Sequence, residues 1–210
     1  MQTVSRFHQV LAVLAAISCL AIALVSYRFV PLGVAEAMNF MAHHLGGNEL
    51  LLYGHIAIAP LTLALLPVQF SARLRNARPR LHRWLGRVYV LLILGSGLAS
   101  FDLAAKTTAG PLAGAGFALL AIFWLGTTLM GLLEGYRRNI PAHRRWMIRS
   151  AALTFAAVTL RLYLGSSMAA GLSFSTAYPA IAWLCWVPNL IIAEFYLRRR
   201  GRIRQVSARA

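Results

Sequence analysis

Charged residues make up 12% of the 210-residue chain and hydrophobic residues 59%, with a formal net charge of +16. A soluble domain carries about 25% charged residues, so the composition excludes a soluble globular enzyme and describes one integral membrane domain, residues 1–210. The basic excess raises the question of nucleic acid, but base readout needs a presented helix or a stacking surface. These arginines instead sit in short loops flanking apolar runs, where topogenic charge and attraction to anionic headgroups account for them.

The chain opens on a basic segment, Met1–Gln9, and a first apolar run, Val10–Tyr27. Ala35-Glu36-Ala37 fits the small-x-small pattern of a signal-peptide cleavage site. Arg28 and Pro31 lie between run and site, however, and the run is long for a signal sequence, so the expectation is a retained first helix. Five runs follow: Leu50–Phe70, Val88–Ala105, Leu112–Leu133, Ser150–Leu172 and Ala177–Leu197. Each is at or near the roughly 20 residues that a membrane-crossing helix needs. They are continuous and do not alternate, which argues against barrel strands. The expected fold is all-α and polytopic, with six transmembrane helices and a four-helix core formed by spans two to five.

Eighteen of the 21 basic residues fall on one side of this topology. They are Arg6, the Phe70–Val88 loop (Arg73, Arg75, Arg78, Arg80, Arg83, Arg87), the segment from Arg137 to Arg149, and the tail with Arg198, Arg199, Arg200, Arg202, Arg204 and Arg209. The other side has Arg28 and Lys106, and Arg161 lies inside span five. Arginine and lysine cluster on the cytoplasmic side, so both termini are expected there. Twenty arginines against one lysine, with much alanine, suggest a GC-rich bacterial gene, which places the protein in the inner membrane. The partners expected are a bilayer with anionic headgroups and, left open, further membrane subunits or a second copy of the chain; nucleic acid is not among them. Cys19 and Cys185 fall within apolar spans, where thiols behave as small hydrophobes.

One phrase occurs twice. Pro79-Arg80-Leu81-His82-Arg83-Trp84 opens span three and Pro141-Ala142-His143-Arg144-Arg145-Trp146 opens span five. Spans two and three (residues 50–105) and spans four and five (residues 112–172) then read as parallel hairpin repeats. The alternative is that basic loops before membrane helices resemble one another. Proline pre-sets a first helical turn, tryptophan suits the membrane boundary and arginine reaches toward headgroups. Histidine is the residue that such a boundary does not explain.

Two constellations could carry chemistry. On the arginine-rich side, His82 shares a helix face with Gly86, which leaves room for a flat ligand. If the repeats are real, His82 and His143 face each other as axial ligands to the iron of a haem b, with Arg83, Arg87, Arg144 and Arg149 as propionate partners. The alternative for each histidine is a bond to a carbonyl or a headgroup. On the opposite side, His55, Asp102 and Arg161 reach similar depth as an outer-half polar cluster, since an intramembrane charge demands a partner or water. This is either a structural ion pair between spans three and five or a substrate or quinone site. Glu194 is expected to pair with the arginine tail, and proline kinks are expected at Pro60, Pro67 and Pro188.

Gly54-His55, Gln69-Phe70, His82-Arg83-x-x-Gly86-Arg87-x-Tyr89, His143-Arg144-x-Trp146-Met147-x-Arg149-Ser150 and the later Arg161 resemble the predicted-membrane-protein family called domain of unknown function 2306. The resemblance covers roughly residues 50–173 and implies the membrane class but no activity. A second resemblance is architectural: six helices with histidines on spans three and five are similar to the cytochrome b561 superfamily. In this chain, span four lacks a histidine, and the two arginine-side histidines lie at helix starts. The leading functional expectation is a b-type haem-binding or quinone-linked membrane redox protein. The alternatives are a small-molecule transporter using the outer-half cluster and an assembly or interaction subunit without chemistry of its own.

Overall fold

The structure is a computed structural model that describes residues 2–47 and 49–207; Arg209 and the side chains of Arg202 and Arg204 fall outside the described residues. The described residues contain helices and no strand. Among the described residues, six helical segments are long and apolar enough to cross a membrane: Gln9–Leu32, Glu49–Phe70, Pro79–Ala105, Pro111–Tyr136, Ile140–Ala169 and Phe174–Gly201. Large apolar side chains such as Leu91, Leu98, Ile122 and Ile192 are exposed along them, as expected where the surrounding medium is hydrocarbon. The protein is an all-α polytopic membrane protein. The chain divides into two compact units, Met1–Thr108 and Ala109–Ala210.

The first unit contains α1 (Gln2–Ser26), α2 (Phe29–Leu32), α3 (Val34–Ala37), a 3-10 helix (Asn39–His44), α4 (Glu49–Phe70), α5 (Ala72–Ala77) and α6 (Pro79–Ala105). Helix α4 packs on both α1 and α6. The seam with α6 uses small residues: a Cβ on Gly95 would stand 3.7 Å from Ile58 of α4, and Ser96 is buried against His55, which lets backbones approach closely without a hydrophobic drive from water. Gly33, at φ 78°, turns the chain between α2 and α3. Arg28 Nε donates to the Ala37 carbonyl at 2.8 Å, so the turn folds onto α4 and α6. Val34, Ala37 and Met38 are buried there with Leu52, Ile56 and Leu103.

Helix α6 begins at Pro79, nine residues before its apolar run. At 27 residues it is about 40 Å long against a hydrocarbon thickness of about 30 Å. Its first two turns, which carry the His–Arg phrase, therefore stand at headgroup level. Pro60 and Pro67 lie within an α4 that continues unbroken through both.

The second unit contains α7 (Pro111–Tyr136), α8 (Ile140–Thr154), α9 (Ala156–Ala169), α10 (Phe174–Leu184) and α11 (Val187–Ser207). Its α7–α8 seam is polar: Thr128 Oγ1 and Ser150 Oγ are 2.7 Å apart, and Trp124 Nε1 donates to Thr154 Oγ1 at 2.9 Å. Spans five and six are each interrupted. The break at Cys185-Trp186 precedes Pro188, whose missing N–H frees a carbonyl. The break at Phe155 has no proline, but Thr154 and Thr159 hydroxyls bond back to the carbonyls of Ser150 and Phe155, a pattern that bends helices. Asn189 Nδ2 ties the two breaks, donating to Ala152 O at 3.3 Å, Thr159 Oγ1 at 3.1 Å and Cys185 O at 2.9 Å.

Candidate functional site

The two His–Arg phrases fall in different units, and each has its own surroundings. In the second unit His143 Nδ1 lies 2.7 Å from the Gly131 carbonyl oxygen. A carbonyl only accepts, so Nδ1 carries a proton and donates it to this bond. The ring rests on α7 at Gly135, where an added Cβ would come within 3.1 Å of Nδ1. Gly131 one turn earlier makes the same space for Met147, whose Sδ would stand 2.6 Å from an added Cβ. Gly131 and Gly135 thus form the groove into which His143 and Met147, also one turn apart, are packed.

Arg149 is committed. Its Nε and Nη2 donate to Glu194 Oε1 at 2.5 Å and Oε2 at 3.0 Å, a two-point pair between α8 and α11. Its guanidinium also lies 4.7 Å from the centre of the Trp146 ring. Glu194 therefore pairs with Arg149 across a helix seam, where a fork of donors meeting a carboxylate is the stronger geometry, and Arg198 of the tail lies within its electrostatic reach. Nearby, Glu134 accepts from Arg137 Nη1 at 3.0 Å and Asn139 Nδ2 at 2.7 Å. This fixes the tight turn in which Arg138 takes φ 59°. Arg144 and Arg145 are exposed.

In the first unit His82 is half-buried in the first turns of α6. Gly86, one turn on, faces the end of α4, with Gln69 Oε1 3.6 Å from where its Cβ would stand. Gln69 is buried, and its Nε2 has no hydrogen-bond partner among the described residues. Arg80, Leu81, Arg83, Trp84 and Arg87 line an open groove on the same helix end.

The opposite end of this unit holds the outer-half polar groups. His55 Nδ1 lies 3.1 Å from the Ser96 carbonyl oxygen, 3.0 Å from Ser96 Oγ and 3.1 Å from Ser100 Oγ. The Ser100 hydroxyl donates to the Ser96 carbonyl at 2.8 Å, so its oxygen faces the imidazole as an acceptor. Nδ1 is then the donor, and the basic nitrogen is Nε2. His44, at the end of the 3-10 helix, is buried, and its ring centre lies 3.9 Å from that of His43, with the two planes tilted by 42°. Its Nδ1 has no hydrogen-bond partner among the described residues. Burial, then the neighbouring His43, pushes the His44 pKa below its ordinary value of 6.5; Asp102 opposes this, while Lys106 and His55 add to it.

Asp102 itself pairs with Lys106 at 2.7 Å, one turn along α6. Arg161 belongs to the second unit, where Nη1 donates to the Ala157 carbonyl at 3.0 Å and the Tyr178 hydroxyl lies within its electrostatic reach. Ser96 and Ser100 went unnoticed in the sequence, although their spacing of four places both hydroxyls on one face of α6. Among the described residues, no group of three or more histidine, cysteine or acidic side chains could hold a metal ion.

A family model described as "Predicted membrane protein (DUF2306)" matches residues 52–197. The chain belongs to this family. The match runs from α4 to α11 and so takes in both His–Arg phrases, His55, Gln69 and the Arg149–Glu194 pair. No curated protein and no solved structure matches the chain.

Proposed function

We propose that this DUF2306 protein binds a small polar solute in the half of its first unit that lies away from the arginines, as a permease-type protein of a bacterial inner membrane with the arginine-rich side facing the cytoplasm. The observation that carries this reading is the imidazole of His55, which three polar contacts from one face of α6 orient within a membrane-crossing hairpin. An ionisable group at that depth is expensive, and it marks a pathway or a binding site when neighbouring polar groups hold its orientation. His44 and Asp102 lie within electrostatic range of each other at the same end. Together they offer a solute a basic nitrogen, a carboxylate and a buried imidazole.

The experiment is a thermal-shift screen of purified protein against small carboxylic acids, amines and sugars, followed by uptake of any stabilising compound into proteoliposomes. Stabilisation and uptake that vanish in His55→Ala, with the variant still folded, support the reading. A panel without effect, or uptake that survives His55→Ala, overturns it.

A second reading is a b-type haem with His143 as one axial ligand, linked to quinone. Its support is the His143 tautomer, since a histidine that donates Nδ1–H to a carbonyl presents Nε2 as a ligand. The arginine set fits less well, because Arg149 is held by Glu194. Bound haem would supply one-electron chemistry, and His143 would contribute a pre-oriented ligand. A Soret band lost in His143→Ala supports it; colourless protein from haem-supplemented expression overturns it.

A further inference from the structure

Aligned on their tryptophans, the two phrases place Arg87 where the second unit has Arg149, each three residues after the ring. In the second unit that arginine meets a carboxylate, Glu194, from a neighbouring helix. Among the described residues of the first unit, no carboxylate does this. The chain has five acidic residues. Asp102 is with Lys106, Glu134 with Arg137, Glu194 with Arg149, and Glu49 accepts from the Gly46 N–H. The fifth, Glu36, is in α3, at the other end of the unit from the groove. Arg80, Arg83 and Arg87 form no ion pair among the described residues, and together with Leu81 and Trp84 they line the open groove.

The spacing makes this a site and not scattered charge. Positions 80, 83, 84 and 87 follow the i, i+3, i+4, i+7 rule and share one helix face. The stripe lies in the first turns of α6, which the helix length places at headgroup level. Trp84 is 58% exposed, so its ring meets the lipid boundary, where indoles are favoured. Three guanidiniums can grip the oxygens of a phosphodiester by paired N–H donors, and Leu81 and Trp84 offer apolar surface for the first acyl carbons.

We propose that this groove is a binding site for the headgroup of one anionic phospholipid in the leaflet on the arginine-rich side. The lipid phosphate takes the place that Glu194 fills in the second unit.

The test is native mass spectrometry of the full chain, with phosphatidylglycerol and phosphatidylcholine of equal chain length offered in competition. Wild-type protein should retain phosphatidylglycerol. The triple variant Arg80→Gln/Arg83→Gln/Arg87→Gln should lose roughly two orders of magnitude in affinity if each arginine contributes as surface basic residues do. The variant Arg73→Gln/Arg75→Gln/Arg78→Gln removes the same charge from the preceding exposed segment and should retain the lipid. Equal losses in the two triple variants would show diffuse attraction only and overturn the site, as would equal retention of the two lipids by the wild type. If the first triple variant does not fold, the single reversal Arg83→Glu carries the same test, and undiminished phosphatidylglycerol binding by it overturns the proposal.

Discussion

At Trp146 the second His–Arg phrase is closed: Arg149 stacks on the ring and grips Glu194, and His143 lies against two glycines of α7. At Trp84 the first phrase is open: the ring is exposed, and three arginines line a groove without an acidic partner from the described chain. The same sequence element serves as a helix-to-helix clamp in one unit and as an exposed basic stripe in the other. What separates them is one carboxylate on α11, because a guanidinium at a membrane boundary takes whichever anion its neighbours present. A repeated motif therefore does not establish a repeated role.

The largest effect should follow from breaking the clamp. Glu194→Ala would leave Arg149, whose side chain is 22% exposed, without its anion. Removing one partner of a buried pair costs about 3–5 kcal/mol, and the partial exposure of both groups lowers the expectation to about 2 kcal/mol. Arg87→Gln in the open phrase should stay within about 0.5 kcal/mol. Equilibrium unfolding in detergent measures both, and similar costs would end the distinction. The double change Arg149→Met/Glu194→Met should recover most of the loss, as apolar replacements of ion pairs do.

The glycines give a smaller test. Gly131→Ala brings a methyl against Met147 Sδ at 2.6 Å and should cost about 1–2 kcal/mol as Met147 is displaced. Gly86→Ala meets Gln69 Oε1 at 3.6 Å, an ordinary contact, and should be neutral or stabilising by up to about 1 kcal/mol through helix propensity. Equal destabilisation would mean that both phrases are packed alike.

Titration should give the smallest signal. Burial lowers the His44 pKa from 6.5, so the folded first unit binds that proton less readily than the unfolded chain does. The resulting stability is fully present above 6.5 and is lost as pH falls through the lowered value. Thermal melts between pH 8 and pH 5, a range chosen to bracket the ordinary histidine value of about 6.5, should decline on the acid side and flatten in His44→Asn. An unchanged slope in the variant would detach His44 from the effect.

Much of this was legible from the residues. The six spans and the one-sided arginines follow from hydropathy and charge, which act locally along the chain. His55 stood out because a titratable residue in an apolar run is conspicuous wherever it packs. Ser96 and Ser100 did not, since serine is common at small-residue helix seams and only the facing helix reveals what it bonds. The burial of His44 is not legible either, because only the turn at Gly33 brings the 3-10 helix against the apolar cluster around Leu52 and Ile56. The break at Phe155 carries no proline, and the threonine back-bonds behind it are invisible in composition.

By itself the sequence determined that this is a six-span helical membrane protein with one strongly basic side and a histidine at the head of each of two helices. Those are consequences of single residues meeting water, headgroup or hydrocarbon. Only the tertiary structure decided that Arg149 meets Glu194 while Arg87 lines a groove, and that His55 points its Nδ1 at two serines. Partner choice depends on which helix faces lie together, and nothing in the local sequence states which carboxylate or hydroxyl will arrive from another part of the chain.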